Sequence, residues 1–143
     1  MGGNDGYLHG FEAGNYDSTG AFVSSTNDGK ELVGYMPYDV LMNKAVNLAD
    51  PLYKHDYLVD ATPVAGDVFY GGAWHTLLVG GVGSTGQEIY ALDITDPTAF
   101  AASKVVGDWD SSTLTHLGNT VGTPIVARMH NGQWAIIFAS GLV

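Results

Sequence analysis

The stretch Asp60–Pro97, DATPVAGDVFYGGAWHTLLVGGVGSTGQEIYALDITDP, decides how the rest of the chain is read. It holds three short runs rich in β-branched and aromatic residues, separated by glycine-rich turns. Residues 64–69 alternate, with Val64, Gly66 and Val68 on one side and Ala65, Asp67 and Phe69 on the other. The run from Trp74 to Gly81 is nearly continuous in apolar residues, and 89–94 leads into ALDITDP. Runs of this length bounded by Gly-Gly and Gly-Ser-Thr-Gly predict strands joined by tight turns. About 60 residues later the opening recurs as GTPIVARMHNGQWAIIFASG, Gly122–Gly141. Thr62-Pro63 matches Thr123-Pro124, Trp74 matches Trp134, Leu77-Leu78 matches Ile136-Ile137, and Gly81 matches Gly141. The chain is a β repeat.

Working outward, the repeat predicts strands over 64–69, 74–80, 88–94 and 104–109, a connector over 114–120, and a new unit opening at Thr123 with Asn131-Gly132 closing its first hairpin. Upstream, Asn4-Asp5-Gly6 is a hairpin signal, because Asp-Gly accommodates the positive φ of primed turns. The strand expected after it, 7–12, aligns with the third strand of the main unit: Leu8-His9-Gly10-Phe11-Glu12 against Ile89-Tyr90-Ala91-Leu92-Asp93. Residues 14–29 read as a turn-rich insertion with a short strand at 21–24, and 30–36 as the unit's fourth strand. One short helix is expected near 38–49, with Val40, Leu41, Ala45 and Leu48 forming an apolar stripe between Pro37 and Asp50-Pro51. A possible strand over 53–59 places His55, Tyr57 and Val59 on one side.

Four antiparallel strands per unit at this period predict an all-β fold, a partial β-propeller of the modified, quinoprotein-like kind. The expected layout is a single segment, 1–143: the end of one blade (1–36), a helical crossover (37–61), a full blade and connector (62–121), and the start of the next blade (122–143). One full blade and two part-blades are fewer than the roughly four to eight that close a ring, so the chain is expected to be a piece of a larger propeller. Its outer strands would then carry unpaired edges and uncovered apolar faces.

Composition narrows the function classes. Five basic against 15 acidic residues give a net charge of −10, which opposes binding to nucleic acid or an anionic membrane through the surface field. No apolar run approaches the ~20 residues that span a bilayer. No signal peptide is visible in this segment. With 20 glycines and no cysteine, many tight turns form without disulfide staples.

Individual residues offer little chemistry. The histidines, His9, His55, His75, His116 and His130, lack the spacing of a zinc site. His55 with Asp56 and Asp60 could form a dyad or metal pair, but hydrogen bonding at turns and strand edges explains them as well. Asp50, Asp93 and Asp96 flank turns, where carboxylates bond backbone N–H groups. Asp67 is expected to face solvent. Gly83-Ser84-Thr85-Gly86 is a turn and not a nucleophile elbow. Trp74, Trp109 and Trp134 read as blade packing, with a sugar platform as the alternative. Accordingly no catalytic, cofactor-binding or metal-ligating residue is assigned.

The motifs GGNDGYLHGFEAG, ELVGYMPYDVLMN, LADPLYKHDYLVDATPVAGDV, GGAWHTLLVGGVGSTGQEIYALDITDP and GTPIVARMHNGQWAIIFASG, in this order, resemble the PilY family of type IV pilus tip-associated adhesins and biogenesis factors. The block ADPLYKHDYLVDATP is the more specific part; NDGYLHGFEA and IYALD also occur in quinoprotein-like propellers. The resemblance implies a non-enzymatic role at the cell surface, outer membrane or pilus tip in an exported protein. That role would support pilus assembly and attachment to host or abiotic surfaces, with the rest of its own propeller and the pilus and minor-pilin machinery as partners. It also implies calcium, in an Asp-rich loop. Asp108-Trp109-Asp110 lacks the further spaced ligands of such a loop, so the calcium site is expected beyond residue 143 and no cofactor within the segment. Ala61, His75 and the 14–29 insertion depart from the family pattern. Two other readings remain open here, a fragment of a pyrroloquinoline-quinone-dependent dehydrogenase propeller and a ligand-binding lectin-like propeller.

Overall fold

A strand buried along its whole length organises the molecule. In the computed structural model, which describes residues 1–141, Glu88–Asp93 is buried at every position. Ten strands lie among the described residues: β1 (Leu8–Phe11), β2 (Asn15–Tyr16), β3 (Phe22–Val23), β4 (Glu31–Tyr35), β5 (Val64–Tyr70), β6 (Ala73–Gly81), β7 (Glu88–Asp93), β8 (Val105–Asp110), β9 (Ile125–Arg128) and β10 (Trp134–Ile137). β5 to β8 form one antiparallel sheet in sequential order, the meander expected of a four-stranded blade. Its strands fall within about a residue of the sequence expectation at either end.

Alternation along β7 then selects two cores. Tyr90 and Leu92 face Leu8 of β1 and Val40, Leu58, Val59 and Val82, with Tyr35 and Met36 packed alongside. Ile89 and Ala91 join Val68, Leu77 and Val79 on the opposite face, against Val126, Trp134 and Ile136 of the β9–β10 hairpin. The central sheet is therefore sandwiched between the β1–β4 pair on one side and the β9–β10 pair on the other. The sheets stack without closing a ring, as in a partial propeller. At Gly66 β9 approaches closely, since a Cβ there would sit 3.0 Å from Cβ of Val126.

The N-terminal turn forms where expected but is not a primed turn, because Asp5 keeps negative φ and Gly6 alone supplies the positive one. Gly6 holds φ at +92°, Gly3 N–H donates to Tyr7 O at 2.8 Å, and Gly2 bridges to Leu8. The 14–29 insertion is a small β2–β3 hairpin. The two residues that end the expected 122–143 segment, 142 and 143, lie outside the described residues.

Two expectations change. The helical stretch is a π turn (Val40–Lys44) running into a 3₁₀ turn (Ala45–Ala49), and the apolar stripe is not a buried face. Only Val40 is buried; Leu41 and Leu48 are exposed. The wide turn followed by the tight one removes the constant 3.6-residue period on which the stripe depended. The second change is at 53–59, which forms no strand. Leu58 and Val59, adjacent in sequence, are both buried in the first core, an arrangement that strand alternation forbids.

Candidate functional site: the junctions between the sheets

Most of the polar side chains singled out by the sequence are consumed locally. Asp50 accepts from Leu52 N–H (2.8 Å), Asp93 from Thr95 N–H (3.0 Å) and Asp96 from Thr98 N–H (3.1 Å), each within a tight turn. Asp67 is exposed and accepts from the Thr76 hydroxyl at 2.8 Å. His55, Asp56 and Asp60 are not brought together. His55 is exposed against Asn4 and the Tyr57 ring, Asp56 lies 3.9 Å from Lys44 Nζ, and Asp60 N–H donates to Val82 O. His116 and His130 are exposed.

Two histidines are held more firmly. His9 Nδ1 lies 2.7 Å from Glu31 Oε1 and its Nε2 3.0 Å from Asp5 Oδ2. The hydrogen bond to Glu31 outweighs partial burial and raises the imidazole above its usual range, with Asp5 adding to it. His75 Nδ1 lies 3.1 Å from Asp93 Oδ2 and its ring stacks on Tyr70 at 3.9 Å between centroids.

The tryptophans mark the junction with β9–β10. Trp74 and Trp134, equivalent positions of the repeat, meet edge to face with centroids 6.1 Å apart, and Trp74 meets Phe69 at 5.5 Å. Beside them runs an apolar groove of about 510 Å³ between Val68, Leu77 and Val106 of the blade and Val126, Trp134 and Ile136 of the hairpin. Trp74 nevertheless leaves 62% of its surface exposed, so it packs as a rim and not as a core residue.

The opposite junction contains the residues that sequence reading missed. Glu88 and Tyr90 of β7 and Asp108 of β8 share one face, since Tyr90 pairs with Asp108 in register. Glu88 and Tyr90 are fully buried. Asp108 Oδ2 accepts from the Tyr35 hydroxyl and, at 3.0 Å, from Tyr38 N–H. Glu88 Oε1 accepts from Asp39 N–H at 2.8 Å. Burial, reinforced by the neighbouring Asp108 carboxyl, pushes the Glu88 carboxyl up to about 9. Burial also raises the Tyr35 and Tyr90 phenols. The available signal was a carboxylate opening the apolar run EIYALD, opposite an Asp-x-Asp on the neighbouring strand.

That Asp-x-Asp does not fit the calcium loop of the family it resembles. Asp108 is turned into the junction, whereas Asp110 Oδ1 accepts from Ser112 N–H and hydroxyl and from Thr113 N–H. Among the described residues there is no group of three or more side chains arranged to hold a metal ion. No helix among them is long and apolar enough to cross a membrane.

Stacked antiparallel sheets in which the same strand pair recurs, joined by buried side chains instead of an open cleft, define a segment of a β-propeller. The family described as the PilY1 beta-propeller domain matches residues 1–143, and the chain belongs to that family. It is 39% identical over 143 residues to the type IV pilus biogenesis factor PilY1 of Pseudomonas aeruginosa strain UCBPP-PA14, covering 99% of this chain and 11% of that protein. To a PilY1 homolog of Xylella fastidiosa it is 36% identical over 141 residues, covering 99% of this chain and 9% of that protein. The crystal structure of the Pseudomonas aeruginosa PilY1 C-terminal domain superposes with a TM-score of 0.69 at 34% identity, over 99% of this chain and 24% of that one. The chain thus spans about a tenth of the length of the curated relatives it matches.

Proposed function

We propose that this chain is a non-catalytic propeller segment of an exported type IV pilus biogenesis factor, acting at the cell surface or pilus tip. Its role is architectural: it holds successive blades in register so that the parent protein supports pilus assembly and attachment to host or abiotic surfaces. The units are those read from the repeat, 1–36, 37–61, 62–121 and 122–143, and the calcium expected of the family binds outside them. The observation that carries this reading is the fate of the polar side chains. The carboxylates at turns are tied to neighbouring N–H groups, and the buried ones face a sheet junction instead of a cleft. Membership of a pilus biogenesis family over the whole chain supports the pilus assignment.

The test is complementation of a strain lacking the parent gene, with surface pili and surface attachment as readouts. Leu92→Asp, which places a charge in the first core, should abolish both. Combined replacement of the exposed histidines His55, His116 and His130 should leave both intact. Loss of pili with the histidine variant alone would point to chemistry at those residues and overturn the architectural reading. Quinone-dependent dehydrogenase turnover by the purified parent protein would do the same.

A further inference from the structure

Three buried polar atoms at the first junction have no hydrogen-bond partner among the described residues: Glu88 Oε2, Asp108 Oδ1 and Tyr90 Oη. Two of them belong to carboxyl groups whose other oxygens are already engaged, Glu88 Oε1 by Asp39 N–H and Asp108 Oδ2 by Tyr35 and Tyr38. Glu88 and Asp108 lie on one face of paired strands, each with one buried, inner oxygen unpaired, and two ionised carboxylates there would carry an uncompensated repulsion and two desolvated charges. A single proton between the inner oxygens removes one charge and satisfies both atoms at once.

We propose that Glu88 and Asp108 hold one proton between them, and that this proton clasps the Tyr35–Asp39 segment onto the blade. The outer oxygens of the pair bind the consecutive amides of Tyr38 and Asp39, so the N-terminal sheet is fastened to β7 and β8 through carboxyls whose positions depend on sharing the proton. When the proton leaves to solvent, two carboxylates repel within the junction, and the amides they hold are released. The groups facing the pair do not supply a substitute. Tyr35 from β4 and Tyr90 from β7 are hydroxyls, Asp39 from the preceding segment is a further acid, and Lys44 of the π turn is directed to Thr85 O and Asp56. Among the described residues neither Glu88 nor Asp108 takes part in an ion pair.

The sign of the effect follows from which state binds the proton. The folded junction keeps it up to about 9, whereas the unfolded chain releases it near the ordinary 4.5. Stability from this pair is complete below the lower value and is lost as pH rises toward the upper one, with the unfolding constant increasing by about tenfold per pH unit.

The decisive measurement is a carbon-13 NMR titration of the Glu side-chain carboxyls in the 143-residue chain, with amide exchange of Tyr38 and Asp39 followed in parallel and corrected for the intrinsic rate. One carboxyl, absent in Glu88→Gln, should titrate near 9, and protection of the two amides should fall over the same range. Glu88→Gln and Asp108→Asn each replace the shared proton by a permanent N–H donor at unchanged charge, so both should keep that protection at high pH. The proposal is overturned if the Glu88 carboxyl titrates in the ordinary carboxylate range. Equal loss of protection in the wild type and in both amide variants would also overturn it. Should either variant fail to fold, the wild-type titration decides alone.

Discussion

The two faces of β7 are built from alternate residues of one six-residue strand, yet they join their neighbours by different physics. Ile89 and Ala91 meet β9–β10 through apolar and aromatic contacts only, with Trp74 and Trp134 at the rim. Glu88, Tyr90 and Leu92 meet the N-terminal segment through an apolar floor with a buried acid–phenol cluster set into it. An apolar junction tolerates small sliding, because dispersion and burial are non-directional. A buried polar junction is directional, and each member left without a partner subtracts from its stability. The first junction therefore specifies one geometry and depends on pH, whereas the second supplies adhesion without either property.

The largest effects should come from the apolar floors on which both junctions rest. Leu92→Ala and Ile89→Ala, at positions 0% and 2% exposed, should each cost about 2–5 kcal/mol in urea unfolding, the usual range for emptying a core site. Near-equal costs would show the two faces to be comparable in packing; a much smaller value for Ile89 would mean that the β9–β10 side collapses to fill the space. Next comes Gly81→Ala. A Cβ there would lie 2.5–2.6 Å from Oγ1, Cβ and the backbone O of Thr120, and Thr120 in turn donates to Glu88 O and accepts from Val82 N–H. The expected loss is about 1–3 kcal/mol, seen as a lowered unfolding midpoint.

Smaller effects separate the faces more finely. Tyr90→Phe removes a buried hydroxyl that has no partner while keeping the ring against Tyr35, so it should stabilise the chain by about 1 kcal/mol. Destabilisation would reveal a hydrogen bond in solution at that hydroxyl. The smallest effect lies outside both junctions. His9 is raised by Glu31 and Asp5, so its contribution is full below the ordinary imidazole value of 6.5 and is lost as pH rises through the folded value. Measured in the Glu88→Gln background, which removes the steeper slope, His9→Gln should flatten the residual pH dependence by less than ~1 kcal/mol, because the carboxylates it bridges are partly exposed.

Much of this architecture was legible residue by residue. The blade strands, the Asp5-Gly6 turn and the matching of Leu8–Glu12 to the third strand all rest on period-2 alternation and turn chemistry, which act over a few residues. The helical crossover was legible as a helix but not as a π turn followed by a 3₁₀ turn, because hydrophobic spacing assumes a constant pitch. The stretch 53–59 misled for a related reason. Tyr57 and Val59 were expected on one side, but Tyr57 is exposed while Leu58 and Val59 are both drawn into the first core.

The acid–phenol cluster was illegible in another way. Its members are Tyr35, Asp39, Glu88, Tyr90 and Asp108, up to 73 residues apart, and no spacing connects them. The sequence by itself determined the repeat, its strands and its turns, since these follow from interactions among near neighbours along the chain. Only the tertiary structure decided which face of β7 received a carboxyl pair and which received tryptophans, because burial and proton sharing depend on what a distant segment brings to the sheet.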